Sequence, residues 1–439
     1  MVMLRKRTNS SGHNGGARLA DKVAQLGYRI ATKSQRAGMQ CLGANAFVAQ
    51  NDFSYKSAEI GYPPPLLTIS HQSEIARYKT EAATSSNKIT GTPTCHTLSY
   101  ELSSITLPLT MGNAWSQSFP PAPTLTEANL PSQHGKVFVI TGGTSGVGLE
   151  LAKILYNAGG TVFITGRSIN TVSAAIDEIK SSNSGNGNAA GVIDGIDIDL
   201  SDLTNIKAKA EELLQKTDKI DVLVLNAGVM IPPAGSTTAQ GLELQVGVNC
   251  VAHLLLAHLL TPALVTAAQS GASNNSAPGS VRVVWAASFA VDISAPKGGF
   301  PMSTILNPPN SATSPATNYA ASKLGNYYLA CYFGSLPAIA SNNILSIAQN
   351  PGNLRTKLQR HVPSLGSLLL RPLLYDAKYG AYTELWASLS AELGMQDQGG
   401  YVVPWGRRHR ALRQDLVASV EGRGVEFAEW CEERIREFR

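Results

Sequence analysis

From residue 135 onward, short apolar segments alternate with helical stretches, and that alternation constrains the fold more than any other feature of this chain. Candidate strands fall at 136–141, 161–165, 192–197, 220–226, 281–287, 344–348 and 401–403. Between them, helical patterns run over 147–156, 169–180, 203–215, 242–268, 319–340 and 378–391. A strand that is apolar along its whole length must be covered on both faces, and helices inserted between consecutive strands supply that cover. The expected architecture is α/β, a doubly wound parallel sheet of about seven strands.

The first strand runs into Thr141, Gly142, Gly143, Thr144, Ser145, Gly146, Val147 and Gly148, where the first helix begins. Backbone amides and the helix dipole converge on a phosphate at such a junction. Gly142 permits the sharp turn, Gly146 lets the chain approach a pyrophosphate, and Gly148 allows close helix packing. A plain tight turn is the alternative reading, and the position at the first strand-to-helix junction favours dinucleotide binding. The next strand ends Thr165-Gly166-Arg167-Ser168, without the carboxylate that would hold a ribose 2′-hydroxyl. Arg167 stands where an arginine can pair a 2′-phosphate. NADP(H) is therefore the expected cofactor, with NAD(H) possible and a merely solvated Arg167 as the alternative.

Tyr319 and Lys323 stand four residues apart in Tyr319-Ala-Ala-Ser-Lys323, a spacing that stacks them on one helix face. An ammonium beside a buried phenol favours the phenolate and draws its pKa down from about 10, which makes a proton-transfer device. An ordinary surface contact has the same spacing, so upstream motifs decide its weight.

Composition matters mainly at the N-terminus. The chain has 36 basic and 31 acidic residues, net +5, but its first fifty residues carry eight bases against Asp21 alone, leaving about −2 on the remainder. The basic balance gives no reason to expect a nucleic-acid partner. Residues 1–110 are rich in Ser, Thr, Asn, Gly and Ala and read as a disordered, low-complexity extension, apart from a short helical pattern over 19–31. Their Arg-rich, acid-poor opening also reads as a mitochondrial presequence, and Met111-Gly112 would serve as the start of a complete enzyme. Residues 111–134 form a lead-in to a single catalytic domain over 135–439. Cys41, Cys95, Cys250, Cys331 and Cys431 are odd in number and lack metal-ligand spacing, which points to a reducing compartment and a cytoplasmic setting. No uninterrupted apolar run is long enough to cross a bilayer, so no transmembrane segment is expected.

In order along the chain stand the glycine turn, Asp199-Leu200, Asn226-Ala227-Gly228, Val248-Asn249, Ser288, Tyr319-Ala-Ala-Ser-Lys323, and Asn350-Pro351-Gly352 followed by Thr356. This series resembles the short-chain dehydrogenase/reductase family, a Rossmann-type fold, and the resemblance spans 135 to near the C-terminus. It implies Tyr319 as the general acid or base, and Lys323 as the group that depresses its pKa and binds the nicotinamide ribose. Ser288 would donate to the substrate oxygen, and Asn249 would anchor a water that links Lys323 to solvent. Asp199 and Leu200 would approach the adenine, Asn226, Ala227 and Gly228 would line the adenosine side, and Pro351, Gly352 and Thr356 would seat the nicotinamide. None of these roles calls for a metal. His253 and His258 read as packing histidines. Dimers or tetramers are usual in the family.

Two departures concern the substrate. The interval from Ser288 to Tyr319 is long and holds Pro296, Gly298, Gly299, Pro301, Pro308, Pro309 and Pro315, the composition of a surface excursion that either walls the pocket or is an unselective loop. The segment 354–375, apolar at Leu368-Leu-Leu370 and Leu373-Leu374, falls where the family has its substrate lid and suggests a lipophilic alcohol or carbonyl compound, a membrane surface or a partner subunit. The wording Tyr401-Val-Val-Pro-Trp405-Gly406-Arg407, Trp430-Cys431-Glu432 and the lead-in Phe119-Pro-Pro to Leu130-Pro131 resemble fungal short-chain reductases related to retinol-dehydrogenase-like enzymes. The expected function is an NADP(H)-dependent interconversion of an alcohol and an aldehyde or ketone. The alternative is a scaffold or sensor that binds the cofactor without chemistry.

Overall fold

The computed structural model describes residues 107–183, 190–273, 276–302, 314–356, 358 and 374–439. The chain divides into two units, Met1–Leu98 and Ser99–Arg439, and every described residue belongs to the second. The readings for residues 1–106, the short helical pattern over 19–31 included, lie outside the described residues.

Eight strands form one sheet: β1 (Val137–Ile140), β2 (Thr161–Gly166), β3 (Val192–Asp197), β4 (Val222–Leu225), β5 (Arg282–Ala286), β6 (Leu345–Gln349), β7 (Tyr401–Val403) and β8 (Arg407–Arg408). Their order is β3-β2-β1-β4-β5-β6-β7-β8, so the winding direction reverses between β1 and β4. A crevice opens at the carboxyl ends of the strands at such a switch point. The first seven strands pair in parallel, with Ile140 beside Ile164 on one side and Val224 on the other. The two-residue β8 is antiparallel to β7 and is the strand beyond the expected seven. It returns across the tight turn that contains Gly406 at φ +95°, too short a hairpin to show in an apolar pattern.

Strand alternation assigns each residue to a layer. Val137 and Val139 face one core with α4 (Ile206–Leu214), α5 (Ala252–Ser273), α7 (Pro315–Ser335) and α9 (Val425–Ile435). Phe138 and Ile140 face the other with α2 (Gly146–Asn157), α3 (Ile169–Ser181) and α8 (Ala377–Leu389). The remaining helices named here are α1 (Leu107–Ser118) in the lead-in and α6 (Ala290–Ser294) after β5.

Three sequence readings change. The stretch Leu244–Gly271 does meet the length and composition of a membrane span, because polar residues interrupt its apolar run without lowering the average; 67% of its most apolar window is buried in the domain, as in a core helix. The helix expected over 319–340 begins earlier, where the Ser314 hydroxyl accepts from Thr317 N–H and Pro315 takes the first turn, and it stops at Ser335 ahead of Pro337. The described start of the long interval before Tyr319 is part surface and part core, with Ser294, Lys297 and Gly298 exposed. Phe300 is fully buried against Phe427 of α9, with ring centroids 4.3 Å apart, and Ala295 O accepts from Arg413 Nη1 at 2.8 Å. Proline and glycine composition reports backbone turns, whereas the burial of one aromatic ring depends on a helix more than a hundred residues away. Residues 303–313 of that interval lie outside the described residues. So do 357 and 359–373 of the expected lid, whose flanks meet in a parallel bridge between Leu354 and Tyr375.

Candidate active site

The glycine turn rests on the strand that follows the switch point. Gly142 and Gly146 have φ of +68° and +60°, a region that favours glycine. A Cβ on Gly148 would lie 2.6 Å from Asn226 Nδ2 and 2.8 Å from Gly142 O, so its lack of a side chain lets the helix start close to both. Thr141 is fully buried beneath the turn. Its carbonyl accepts from Asn226 Nδ2 at 2.9 Å and its hydroxyl oxygen from Ala227 N–H at 3.0 Å. The first turn of α2 carries no acidic residue, and Ser145 makes no side-chain capping bond there, which leaves the helix N-terminus open to an anion.

Above the turn lies a cavity of about 320 Å³. Its walls include Gly142, Thr144, Ser145, Gly146 and Val147 from the turn, Arg167 after β2, and Asp199 and Leu200 after β3. Asn226, Ala227, Gly228 and Thr356 complete the predicted set that lines it. Thr141, Gly143 and Gly148 are buried under the cavity rather than in its lining. Arg167 is exposed at its edge. Asp199 turns its carboxylate to Ser201, accepting from the backbone N–H at 2.9 Å and the hydroxyl at 2.7 Å.

Beyond the cavity, Ser288, Tyr319 and Lys323 come together from the loop after β5 and from α7. Tyr319 is partly exposed, and its phenol faces the Ser288 side chain. Lys323 is 4% exposed; its Nζ donates to Ala286 O at 2.8 Å and stands 5.9 Å from the centre of the Tyr319 ring. Burial pushes the ammonium down to about 8. Burial raises the Tyr319 phenol, with the Ser288 side chain opposing. The phenol therefore stands above its ordinary value and not below it as expected, because desolvation outweighs whatever the Lys323 ammonium contributes. Pro351 and Gly352 follow β6, where Gly352 has φ +96° and its N–H donates to Asn350 Oδ1 at 2.9 Å.

Asn249 lies in a π-helical turn, Gly247–Val251, ahead of α5, fully buried. Its Oδ1 accepts from Val229 N–H at 2.8 Å, while Nδ2 reaches Val229 O at 3.1 Å and Ser322 Oγ at 3.0 Å. Both amide hydrogens and one of the two acceptor positions of the side chain are thus used by protein groups. His253, read from sequence as packing, has a second use. Its Nδ1 donates to Asn249 O at 3.0 Å, which leaves Nε2 to accept from the Thr141 hydroxyl at 3.0 Å. Burial pushes the imidazole down to about 4 and keeps it neutral. The ring ties the glycine turn to Asn249, and the i, i+4 spacing of Asn249 and His253 was the available signal. His258 instead meets Glu432 at 2.8 Å, far along the chain on α9.

A family model described as short chain dehydrogenase matches residues 136–283. The chain is similar to the short-chain dehydrogenase/reductase iacJ of Pestalotiopsis fici, at 39% identity over 322 residues that cover 72% of this chain and 96% of the relative. The chain belongs to the short-chain dehydrogenase/reductase family. A short-chain dehydrogenase/reductase of Phomopsis amygdali is 37% identical over 74% of this chain and 97% of its own length. A crystal structure of a short-chain type dehydrogenase/reductase from Mycobacterium marinum overlies 63% of this chain and 97% of its own at a TM-score of 0.47 and 18% identity. As a short-chain dehydrogenase/reductase, this chain is an oxidoreductase. The C-terminal extension packs inside the domain: Phe427, Ala428, Cys431 and Ile435 of α9 are fully buried in its own core.

Proposed function

We propose that this short-chain dehydrogenase/reductase is an NADP(H)-dependent carbonyl reductase acting on a small lipophilic aldehyde or ketone, or on the corresponding alcohol in reverse. The observation that carries the reading is the convergence of Ser288, Tyr319 and Lys323 beside the cavity: Lys323 Nζ stands 5.9 Å from the centre of the Tyr319 ring and 3.5 Å from where a Cβ on the cavity-lining Gly228 would lie. The turn fits a pyrophosphate, because Gly148 admits no Cβ and the start of α2 offers uncapped amides and no competing carboxylate. Arg167 would meet a 2′-phosphate. When bound, the dinucleotide supplies or accepts the hydride.

The residues around it handle the proton. A phenol raised by burial stays protonated at neutral pH and so suits the general acid that delivers a proton to the carbonyl oxygen. The Ser288 hydroxyl shares that oxygen and holds the charge that develops on it. Lys323, buried and anchored on Ala286 O, is close enough to stabilise the phenolate once the proton has left. Following NADPH absorbance across a panel of aldehydes and ketones of increasing apolar surface tests the proposal. Consumption that strengthens with apolar surface is expected. NADPH binding without consumption across the whole panel would favour the scaffold reading.

A further inference from the structure

Helix α1 reaches the back of the site through one buried side chain. Gln117 is 2% exposed. Its Nε2 donates to Asp292 Oδ2 at 2.8 Å and its Oε1 accepts from Asn350 Nδ2 at 2.8 Å. Turning the amide over would set a carbonyl against a carboxylate, so the chemistry of the partners fixes its orientation. The two partners stand on opposite arms of the site. Asp292 belongs to α6, just after Ser288. Asn350 is 1% exposed and holds the Gly352 N–H, so it sets the turn that carries Pro351.

Asp292 has a second buried partner. His409 Nε2 lies 3.0 Å from both carboxylate oxygens, and the two side chains are 2% and 5% exposed. The Ala411 N–H donates to Nδ1 at 3.3 Å, which leaves the ring proton on Nε2, aimed at the carboxylate. The His409 ring meets the Tyr401 ring edge-on at 5.5 Å. The Tyr401 hydroxyl in turn donates to Ser288 O at 2.8 Å and accepts from Ser288 N–H at 3.3 Å. The last carbonyls of α1 are held as well, Ser116 O by Arg407 Nη2 at 2.9 Å and Ser118 O by the Tyr375 hydroxyl at 3.1 Å.

We propose that Gln117 is a positioning residue of the oxidoreductase site: with Asp292 and His409 it forms a buried polar strut that sets the spacing between Ser288 and the Asn350–Gly352 turn. For its catalytic consequence the inference rests on the reductase reading above. Both arms end in groups that must meet the reacting atoms, and a displacement of about 1 Å between them costs on the order of 10²-fold in rate. A buried network of this kind holds one arrangement because each broken bond leaves a desolvated polar group unpaired.

The test replaces Gln117 with methionine, similar in shape and unable to make either bond, and separately replaces Asp292 with asparagine. Steady-state kinetics and NADPH affinity are measured well below the unfolding transition, alongside amide hydrogen exchange. For Gln117→Met, kcat should fall roughly tenfold to a hundredfold while the NADPH Kd stays within about twofold. Exchange should rise together at 289–292 and 350–353 and stay unchanged in α2. Asp292→Asn should reproduce the paired rise, which keeps the question open to measurement if the methionine variant fails to fold. An unchanged kcat, a Kd that weakens in step with kcat, or exchange that rises on one arm alone would overturn the strut. A parent enzyme that turns over no carbonyl compound would sink the reductase reading, and the exchange arm would still show whether the two arms are coupled.

Discussion

The two ends of the cleft are built in opposite ways. At the glycine turn, eight consecutive residues supply the loop that faces a phosphate, and its glycines are set by what a Cβ would strike. At the catalytic end, the hydrogen bond between Gln117 and Asn350 joins residues 233 apart, and Ser288 is gripped by Tyr401 from 113 residues away. A loop whose shape follows from local sterics is vulnerable to any added side chain. A site assembled from distant segments depends on several buried polar bonds being satisfied at once, so conservative polar substitutions should be felt there most.

The sharpest way to break this comparison is to remove the proton source and leave the turn intact. Tyr319→Phe should lower kcat/KM by roughly 10²–10⁴-fold with NADPH affinity nearly unchanged, as measured by steady-state kinetics and cofactor titration. Substantial residual turnover would detach catalysis from the phenol and leave the glycine turn as the only site supported.

A second, smaller effect belongs to the buried polar groups of the catalytic end. Glu384 on α8 is fully buried; Gln349 Nε2 donates to its Oε1 at 3.1 Å, and its other oxygen has no partner. Burial pushes its carboxyl up to about 8, with Lys323 and then the Gln349 hydrogen bond opposing. A raised folded-state value means that the neutral acid favours the fold. That contribution is complete below the ordinary value near 4.5 and is lost as pH rises through about 8. Glu384→Gln should therefore gain stability relative to the parent as pH rises from about 5 to 9, by on the order of 2 kcal/mol at the upper end. Urea midpoints across that range read the difference, and a gap that stays flat with pH would refute it.

The smallest effect lies at the turn end. Arg167 is exposed, so Arg167→Ala should raise the NADPH Kd about tenfold and leave the NADH Kd within about twofold. Equal losses for both dinucleotides would remove the basis for 2′-phosphate recognition and make Arg167 a general electrostatic contact.

Most of the sheet and twelve of the twenty residues that line the cavity were legible in the sequence, because both are written in local patterns. Apolar runs of strand length marked β1 through β7, and the glycines that a turn requires stood together. Less legible was anything whose role depends on which element returns to it. His253 carried a spacing signal and no hint of its partner Thr141. Gln117 sits in a segment that read only as a lead-in, and Phe300 lies among prolines and glycines that advertise a loop. The Tyr319 phenol was misjudged for the same reason: a helix spacing shows that Lys323 is near, whereas the direction of the shift follows from every atom that displaces water around the hydroxyl.

By itself, the sequence determined a parallel α/β sheet, a phosphate-binding turn at its first junction, and a tyrosine and lysine on one helix face. Side-chain periodicity and Cβ sterics act over a few residues, so those features can be read without knowing the fold. Only the tertiary structure decided that β8 folds back on β7, that α9 buries itself against α7, and that Gln117, Asp292 and His409 meet behind Ser288. Such buried hydrogen bonds exist once distant segments have been brought together, and burial then makes them costly to break.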